Sequence, residues 1–191
     1  EMSMPKRCGW VKMNNPLYIV YHDEEWGQPL HDDQALFELL CLETYQAGLS
    51  WETVLNKRQA FREAFHGYHL QGVADMTDEE LEALLDNPAI IRNRAKIFAT
   101  RANAQAFLQV QAEFGSFDAY LWSFVEGKTI NNDVPDYRQA PVKTALSEKL
   151  AKDLKKRGFK FTGPVAVLSY LQAAGLVNDH ENDCEWKSGN K

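Results

Sequence analysis

Cys8 and His22 near one end of the chain, and His180 and Cys184 near the other, supply two thiols and two imidazoles. These are the donor types that hold a tetrahedral zinc ion. His180 and Cys184 are four residues apart, the spacing at which one helical turn points two side chains at one ion. Four protein ligands would leave no position for water or substrate, so the ion would be structural and would tie the two ends of the chain together. Cys8, Cys41 and Cys184 cannot all pair within the chain and form no disulfide framework. Unconnected reduced thiols and histidines fit the same residues.

A second candidate is Glu43. Helical spacing puts it among Leu36, Leu39, Leu40 and Ala47, on a face that should be buried, where a carboxylate is costly unless it has a partner. Two arrangements meet that requirement: a buried ion pair with an arginine, or a carboxyl that reads or protonates something bound. Trp10, Tyr18, Tyr21, Trp26 and Trp51 flank this segment in sequence. They fit a plain aromatic core, and equally a pocket that takes a flat, electron-poor or cationic base.

The third is Asn87 to Arg94, between two helical patterns. Free backbone N–H groups and a helix N-terminus at Ile90, Ile91, Arg92, Asn93 and Arg94 would suit a DNA phosphate; an ordinary helix–helix turn is the alternative. The net charge of −6 argues against a polyanionic partner unless the charges are segregated. They are segregated along the sequence. Lys143, Lys149, Lys152, Lys155, Lys156, Arg157 and Lys160 face only Glu148 and Asp153 in their stretch, and Arg92, Arg94, Lys96 and Arg101 form a second basic group. The acids gather in Asp75, Asp78, Glu79, Glu80, Glu82 and Asp86, which predicts an electrically two-sided molecule, although a basic run also fits a solvated helix face.

The elements that must position these residues read as helices, and the fold class is all-α. Asp32 or Asp33 caps a helix to about Ala47, and Ser50 starts another with Trp51, Val54 and Leu55 inward. Thr77 and Glu80 form a capping box, Pro88 ends that helix, and a longer one begins between Ile91 and Arg94. Ser116 to Glu126 is helical and stops at Gly127, and residues 131–141 are loop-like. A basic helix runs from Lys143 to Arg157 with Gly158 after it, and Pro164 opens an apolar helix ending at Gly175.

With 191 residues, 45% hydrophobic and 25% charged, the chain is expected to form one folding unit rather than a disordered or fibrous one. The most apolar stretch, Pro164 to Val177, is interrupted by Ser169, Gln172 and Gly175 and is too short to span a bilayer. No secretory h-region follows the first residues, so a cytoplasmic location is expected.

Taken in order, several segments resemble one family: Arg7-Cys8-Gly9-Trp10, Tyr21 to Gly27, Leu42-Glu43 with Gln46 to Trp51, Ile90 to Ile97, Leu154 to Phe161, and Gly175 to His180. The chain is similar, from Cys8 to Cys184, to the bacterial DNA-3-methyladenine glycosylase I family of the helix-hairpin-helix glycosylase superfamily. The resemblance implies a two-lobed α fold, a helix-hairpin-helix at about 78–110 that grips DNA through Ile90 to Arg94, and a structural Zn2+ on Cys8, His22, His180 and Cys184. It further implies that Glu43 hydrogen-bonds the methylated adenine, Trp51 stacks on it, Tyr18 and Tyr21 complete the pocket, and Trp10 and Trp26 line it. Thr44 and Tyr45 beside Glu43, and Ala89 in the hairpin, depart from the usual family residues, which puts pocket shape and the phosphate turn at those positions.

The implied activity is hydrolysis of the N-glycosidic bond of 3-methyladenine in double-stranded DNA after base flipping, with Arg92, Arg94, Lys155, Lys156 and Arg157 holding the backbone. No lysine stands out as a Schiff-base nucleophile, so no strand cleavage is expected, and the enzyme is expected to act as a monomer. Two other classes fit parts of the pattern: a non-catalytic zinc-containing binder of damaged or distorted DNA, and a zinc hydrolase with an open metal site.

Overall fold

The computed structural model describes residues 4–187. Its central element is the helix Asp33–Tyr45, here called α2 after α1 (Pro16–Glu24). Asp32 caps α2 by accepting the Ala35 N–H at 2.9 Å, and every residue from Leu36 to Tyr45 is buried. A helix apolar on nearly all sides belongs in the middle of a core. Accordingly α2 packs against α7 (Arg94–Phe114) and α10 (Pro164–Ala173). Ala47, expected on its buried face, lies beyond the last turn and is exposed.

The helix starts expected at Ser50 and Thr77 form. Ser50 accepts from Thr53 N–H at the start of α3 (Trp51–Asn56), and Thr77 and Glu80 make the capping box of α6 (Asp78–Ala83). Asn93 caps α7 through Lys96 N–H, and Ser116 caps α8 (Phe117–Ser123). The basic helix α9 (Ala145–Lys156) starts one residue after Thr144 and packs along α10. Sequence periodicity had not marked α1, α4 (Arg58–Ala64) or α5 (Leu70–Ala74): each has nine residues or fewer, too short to display a clear stripe.

Two expectations need correcting. A two-residue parallel bridge joins β1 (Ile130–Asn131) to β2 (Val177–Asn178), with Ile130 opposite Val177 and Asn131 opposite Asn178, so the fold is mostly rather than wholly helical. His180 and Cys184 are not on a helix. They sit in the turn after β2, where Cys184 N–H donates to Glu181 O at 2.9 Å, and the turn brings the two side chains together as a helix would have done.

The end of α10 is tied to the segment after α1. Gly27 N–H donates to Ala173 O and Leu30 N–H to Ala174 O, and the approach at Gly175 is so close that a Cβ there would lie 2.4 Å from the carbonyl carbon of Gln28. With φ at +77°, that position excludes side chains twice over. The strap fixes Trp26 and His22 relative to α10, and so joins both ends of the chain at one place.

Candidate active site

The buried polar groups of α2 locate the site. Glu38 is held by Arg62 at 2.7 Å and Arg58 at 3.3 Å. Burial opposes its ionisation, but these two guanidiniums outweigh burial and hold the carboxyl below the usual range. Thr44 donates to Cys41 O at 2.6 Å. Glu43 has no arginine. It is 5% exposed, its Oε2 is buried without a hydrogen-bond partner, and burial pushes its pKa up to about 8. The ion pair that sequence offered for Glu43 is thus made one turn earlier, at Glu38, and Glu43 is left facing a cavity of about 190 Å³.

Trp10, Tyr18, Tyr21, Trp26 and Trp51 all line that cavity. Tyr18 and Tyr21 come from α1, Trp51 from the first turn of α3, and Trp10 and Trp26 from the segments flanking α1. Trp51 Nε1 is also buried without a partner. The walls are flat and apolar, with one acidic group and one N–H donor unspent, an arrangement that fits a planar ligand carrying its own donors and acceptors.

Three lining residues were not singled out from sequence: Gln46, Ser169 and Gln172. The signal was present, since Ser169 and Gln172 are the polar interruptions of the apolar α10, three apart and therefore on one face. Thr44 and Tyr45, where departures from the family suggested an altered pocket, face away from it. Tyr45 stacks on Phe61 and bonds Tyr68 and Thr100 in the core, each at 3.0 Å. Lys96 is buried and donates to Tyr45 O at 2.8 Å and Ala47 O at 2.6 Å, fixing the end of α2 just beyond Glu43.

Behind the pocket, one ligand atom each from Cys8, His22, His180 and Cys184 lies within 4.8 Å of all the others. All four residues are buried and could hold a metal ion. His22 Nδ1 lies 2.7 Å from Asp23 Oδ1, and His180 Nε2 lies 3.0 Å from Trp26 O. These partners take the ring N–H of each histidine and leave His22 Nε2 and His180 Nδ1 as electron-pair donors, which face Cys184 Sγ at 3.5 Å. Arg7 in turn grips Asp23 at 2.7 Å. The Cys8 thiol and the two imidazoles push Cys184 toward thiolate, while Cys8 is raised by sharing that proton. The cluster also buttresses the cavity: Trp10 meets the His22 ring edge-on at 5.3 Å, and Trp26 meets His180 at 4.7 Å.

The segment between α6 and α7 is a tight turn. Asn87 Oδ1 accepts the Ala89 N–H at 2.9 Å, and no residue of the turn has a positive φ, so Ala89 serves where glycine was the expected residue. Ile90 is buried and Ile91 half-buried, which anchors the turn, while Arg92, Asn93 and Arg94 are exposed. Arg94 pairs with Glu82 and Arg101 with Asp78. The acidic run therefore neighbours the second basic group instead of occupying an opposite side. Lys155 and Lys156 are exposed; Arg157 is held by Asp153 at 2.7 Å and Glu113 at 2.5 Å, between the rings of Phe114 and Tyr120.

Fold and cavity define a helical protein with an aromatic-walled cavity beside a four-residue Cys/His cluster. The chain belongs to the methyladenine glycosylase family, whose pattern matches residues 10–188. It is 49% identical over 185 residues to a DNA-3-methyladenine glycosylase of Haemophilus influenzae, covering 97% of this chain and 100% of the relative. It is 47% identical to DNA-3-methyladenine glycosylase 1 of Escherichia coli, covering 97% and 99%. A crystal structure of a tyrosine-to-phenylalanine variant of 3-methyladenine DNA glycosylase I in complex with 3-methyladenine superposes with a TM-score of 0.90 at 41% identity, over 94% of this chain and 96% of that one.

Proposed function

We propose that this protein is a base-excision repair glycosylase that hydrolyses the N-glycosidic bond of 3-methyladenine in alkylated DNA. The observation that carries the reading is Glu43, a buried carboxyl with an unspent oxygen in an aromatic cavity. The family membership and the relatives named for this activity support it.

The lesion's chemistry explains the site. Methylation at N3 puts a positive charge on adenine, which makes the base a good leaving group and a cation–π partner for Trp51. Burial keeps the empty Glu43 largely protonated near neutral pH, and a bound cation favours its carboxylate, so the pocket rewards a charged purine over a neutral one. The damaged nucleotide is flipped out of the duplex into the cavity. The C1′–N9 bond breaks with its electron pair moving into the ring, which neutralises the base. Water then adds to the oxocarbenium-like C1′ and gives its proton to solvent. Glu43 holds the base edge, Trp51 stacks on its face, Tyr18 and Tyr21 close the pocket, and Trp10 and Trp26 form its rear wall.

The donor set of Cys8, His22, His180 and Cys184 fits zinc: both imidazoles are oriented by their outer partners, and a bound ion would displace the proton that the two thiols share. Bound there, zinc would supply structure, since four protein ligands would leave no open position; this argues against a zinc hydrolase. The residues around 78–110, with Ile90 to Arg94 at the turn, act as a helix-hairpin-helix whose backbone N–H groups and Arg92 hold a phosphate of double-stranded DNA, assisted by Lys155 and Lys156. Arg157, already paired, shapes that region more than it contacts DNA. The enzyme acts as a monomer and does not cut the strand; trapping of an enzyme–DNA adduct by borohydride would overturn the latter.

The deciding experiment is release of 3-methyladenine from alkylated DNA, with Glu43→Gln as control. No release by the intact protein would leave the reading as a non-catalytic binder.

A further inference from the structure

Gln172 projects from α10 into the cavity, and its side-chain nitrogen donates to Asp179 Oδ2 at 2.8 Å. The other oxygen of the same carboxylate, Oδ1, accepts from Asn132 Nδ2 at 2.6 Å. Asn132 is itself fixed beyond the end of β1: its backbone N–H donates to Asn178 O, and its carbonyl accepts from Lys187 Nζ at 2.8 Å. The two-residue sheet thus delivers a carboxylate, just past β2, to the back of a residue that lines the base pocket.

A carboxylate that receives two amide N–H donors acts only as an acceptor, so it forces one orientation on each amide. Gln172 must turn its nitrogen to Asp179, and its carbonyl oxygen is then left for the cavity. Without Asp179 the amide could present either end. With the amide held by Asp179, the Gln172 carbonyl and the unpartnered Glu43 Oε2 belong to the same pocket. Both can accept from a base that carries an exocyclic amino group.

We infer that Asp179 is a positioning residue that locks the Gln172 amide with its carbonyl oxygen toward the bound base, making Gln172 a specificity determinant for the amino edge of methylated adenine. The inference rests on the glycosylase reading and assigns to that reaction two residues beyond the aromatic cage and Glu43.

The test compares Asp179→Asn, Gln172→Met and the double variant, measuring dissociation constants for 3-methyladenine and for 3-methylhypoxanthine, in which a carbonyl replaces the amino group. Each single substitution is expected to weaken 3-methyladenine binding about three- to tenfold, the loss of one hydrogen bond, and to erase most of the preference over 3-methylhypoxanthine. The double variant is expected to match the worse single one, because the two residues act through one contact. The Gln172 side-chain N–H proton that faces the Asp179 carboxylate should move upfield in the NMR spectrum of Asp179→Asn, as its hydrogen bond to a charged acceptor is lost.

Asp179 adjoins His180, so metal content and melting temperature are followed in parallel. Asn132→Ala, which removes a partner of Asp179 without touching the cluster, is expected to reproduce the loss of preference in part. If Asp179→Asn fails to fold, Gln172→Met with unchanged selectivity overturns the inference, and lost selectivity in both Gln172→Met and Asn132→Ala supports it. Additive effects in the double variant overturn it as well. An intact protein that neither binds nor releases 3-methyladenine overturns the proposed function and this inference together; an active protein with indifferent variants overturns the inference alone.

Discussion

Glu43 Oε2 and Trp51 Nε1 are both buried without a hydrogen-bond partner, and they line the same cavity. An acceptor and a donor left unsatisfied in one pocket are each costly to the empty protein, and a single ligand with a matching edge would satisfy both. The neighbouring Glu38 shows what the fold does with a buried carboxylate that has no ligand to meet: it supplies two arginines.

Glu43→Gln keeps the shape and removes the charge. The expected loss is about 10- to 100-fold in kcat/KM for release of 3-methyladenine, in line with a hydrogen bond to a charged partner. A loss below twofold would show that Glu43 is not the group that holds the base.

The same substitution tests the burial of Glu43 through pH. Its folded-state pKa is raised from the ordinary 4.5 to about 8, so between those values the folded chain keeps a proton that the unfolded chain has lost. Stability therefore falls as pH rises through this window, by up to a few kcal/mol, while below it Glu43 imposes no penalty. Ligand-free Glu43→Gln should match the parent in melting temperature near pH 4.5 and exceed it above pH 8. A difference constant with pH would contradict the assignment.

Trp51→Ala should reduce kcat/KM by about 10- to 100-fold through lost stacking, whereas Trp51→Phe should keep most of that stacking and lose only the Nε1 donor. Fluorescence titration with 3-methyladenine separates the two: equal affinities for both variants would show that stacking is not the role of this ring.

Much of this was legible in the sequence because it rests on local chemistry. Caps at Asp32, Ser50 and Thr77 need only neighbouring residues, and an isolated Glu43 among leucines announces a polar group requiring explanation. What sequence could not decide was which buried carboxylate met the arginines, since Arg58 and Arg62 reach Glu38 from a helix too short to be recognised by its pattern. Nor could it show that Tyr45 turns into the core while Gln46 turns into the pocket, because the helix ends between them. The convergence of His180 and Cys184 was expected for the wrong local reason, a helical turn, and is achieved by a backbone turn after a strand that periodicity could not reveal.

The Cys/His cluster should make stability metal-dependent. One zinc per chain is expected by elemental analysis, and a strong chelator should lower the melting temperature and loosen the walls formed by Trp10 and Trp26, which rest on the histidine rings. Gly27→Ala provides a sharper probe: a Cβ there would lie 2.8 Å from His180 Nε2, at a φ of +81°. It should weaken metal binding while leaving all four ligands in the chain. Retention of zinc by Gly27→Ala at parental affinity would show that this histidine does not ligate.

The basic residues divide by what already holds them. Arg92 makes no ion pair among the described residues and Lys155 is exposed, so each is available to a phosphate; Arg157 is clamped by Asp153 and Glu113 between two rings. Alanine at Arg92 or Lys155 should weaken DNA binding regardless of sequence and reduce the dependence of log K on log salt by about one, as a lost phosphate contact does. Alanine at Arg157 should instead lower the melting temperature and leave the salt slope nearly unchanged, because the guanidinium's interactions are spent within the protein. Binding measured at three or more salt concentrations decides between these outcomes. A slope that falls for Arg157→Ala and not for Arg92→Ala would move the DNA path from the turn before α7 to the end of α9.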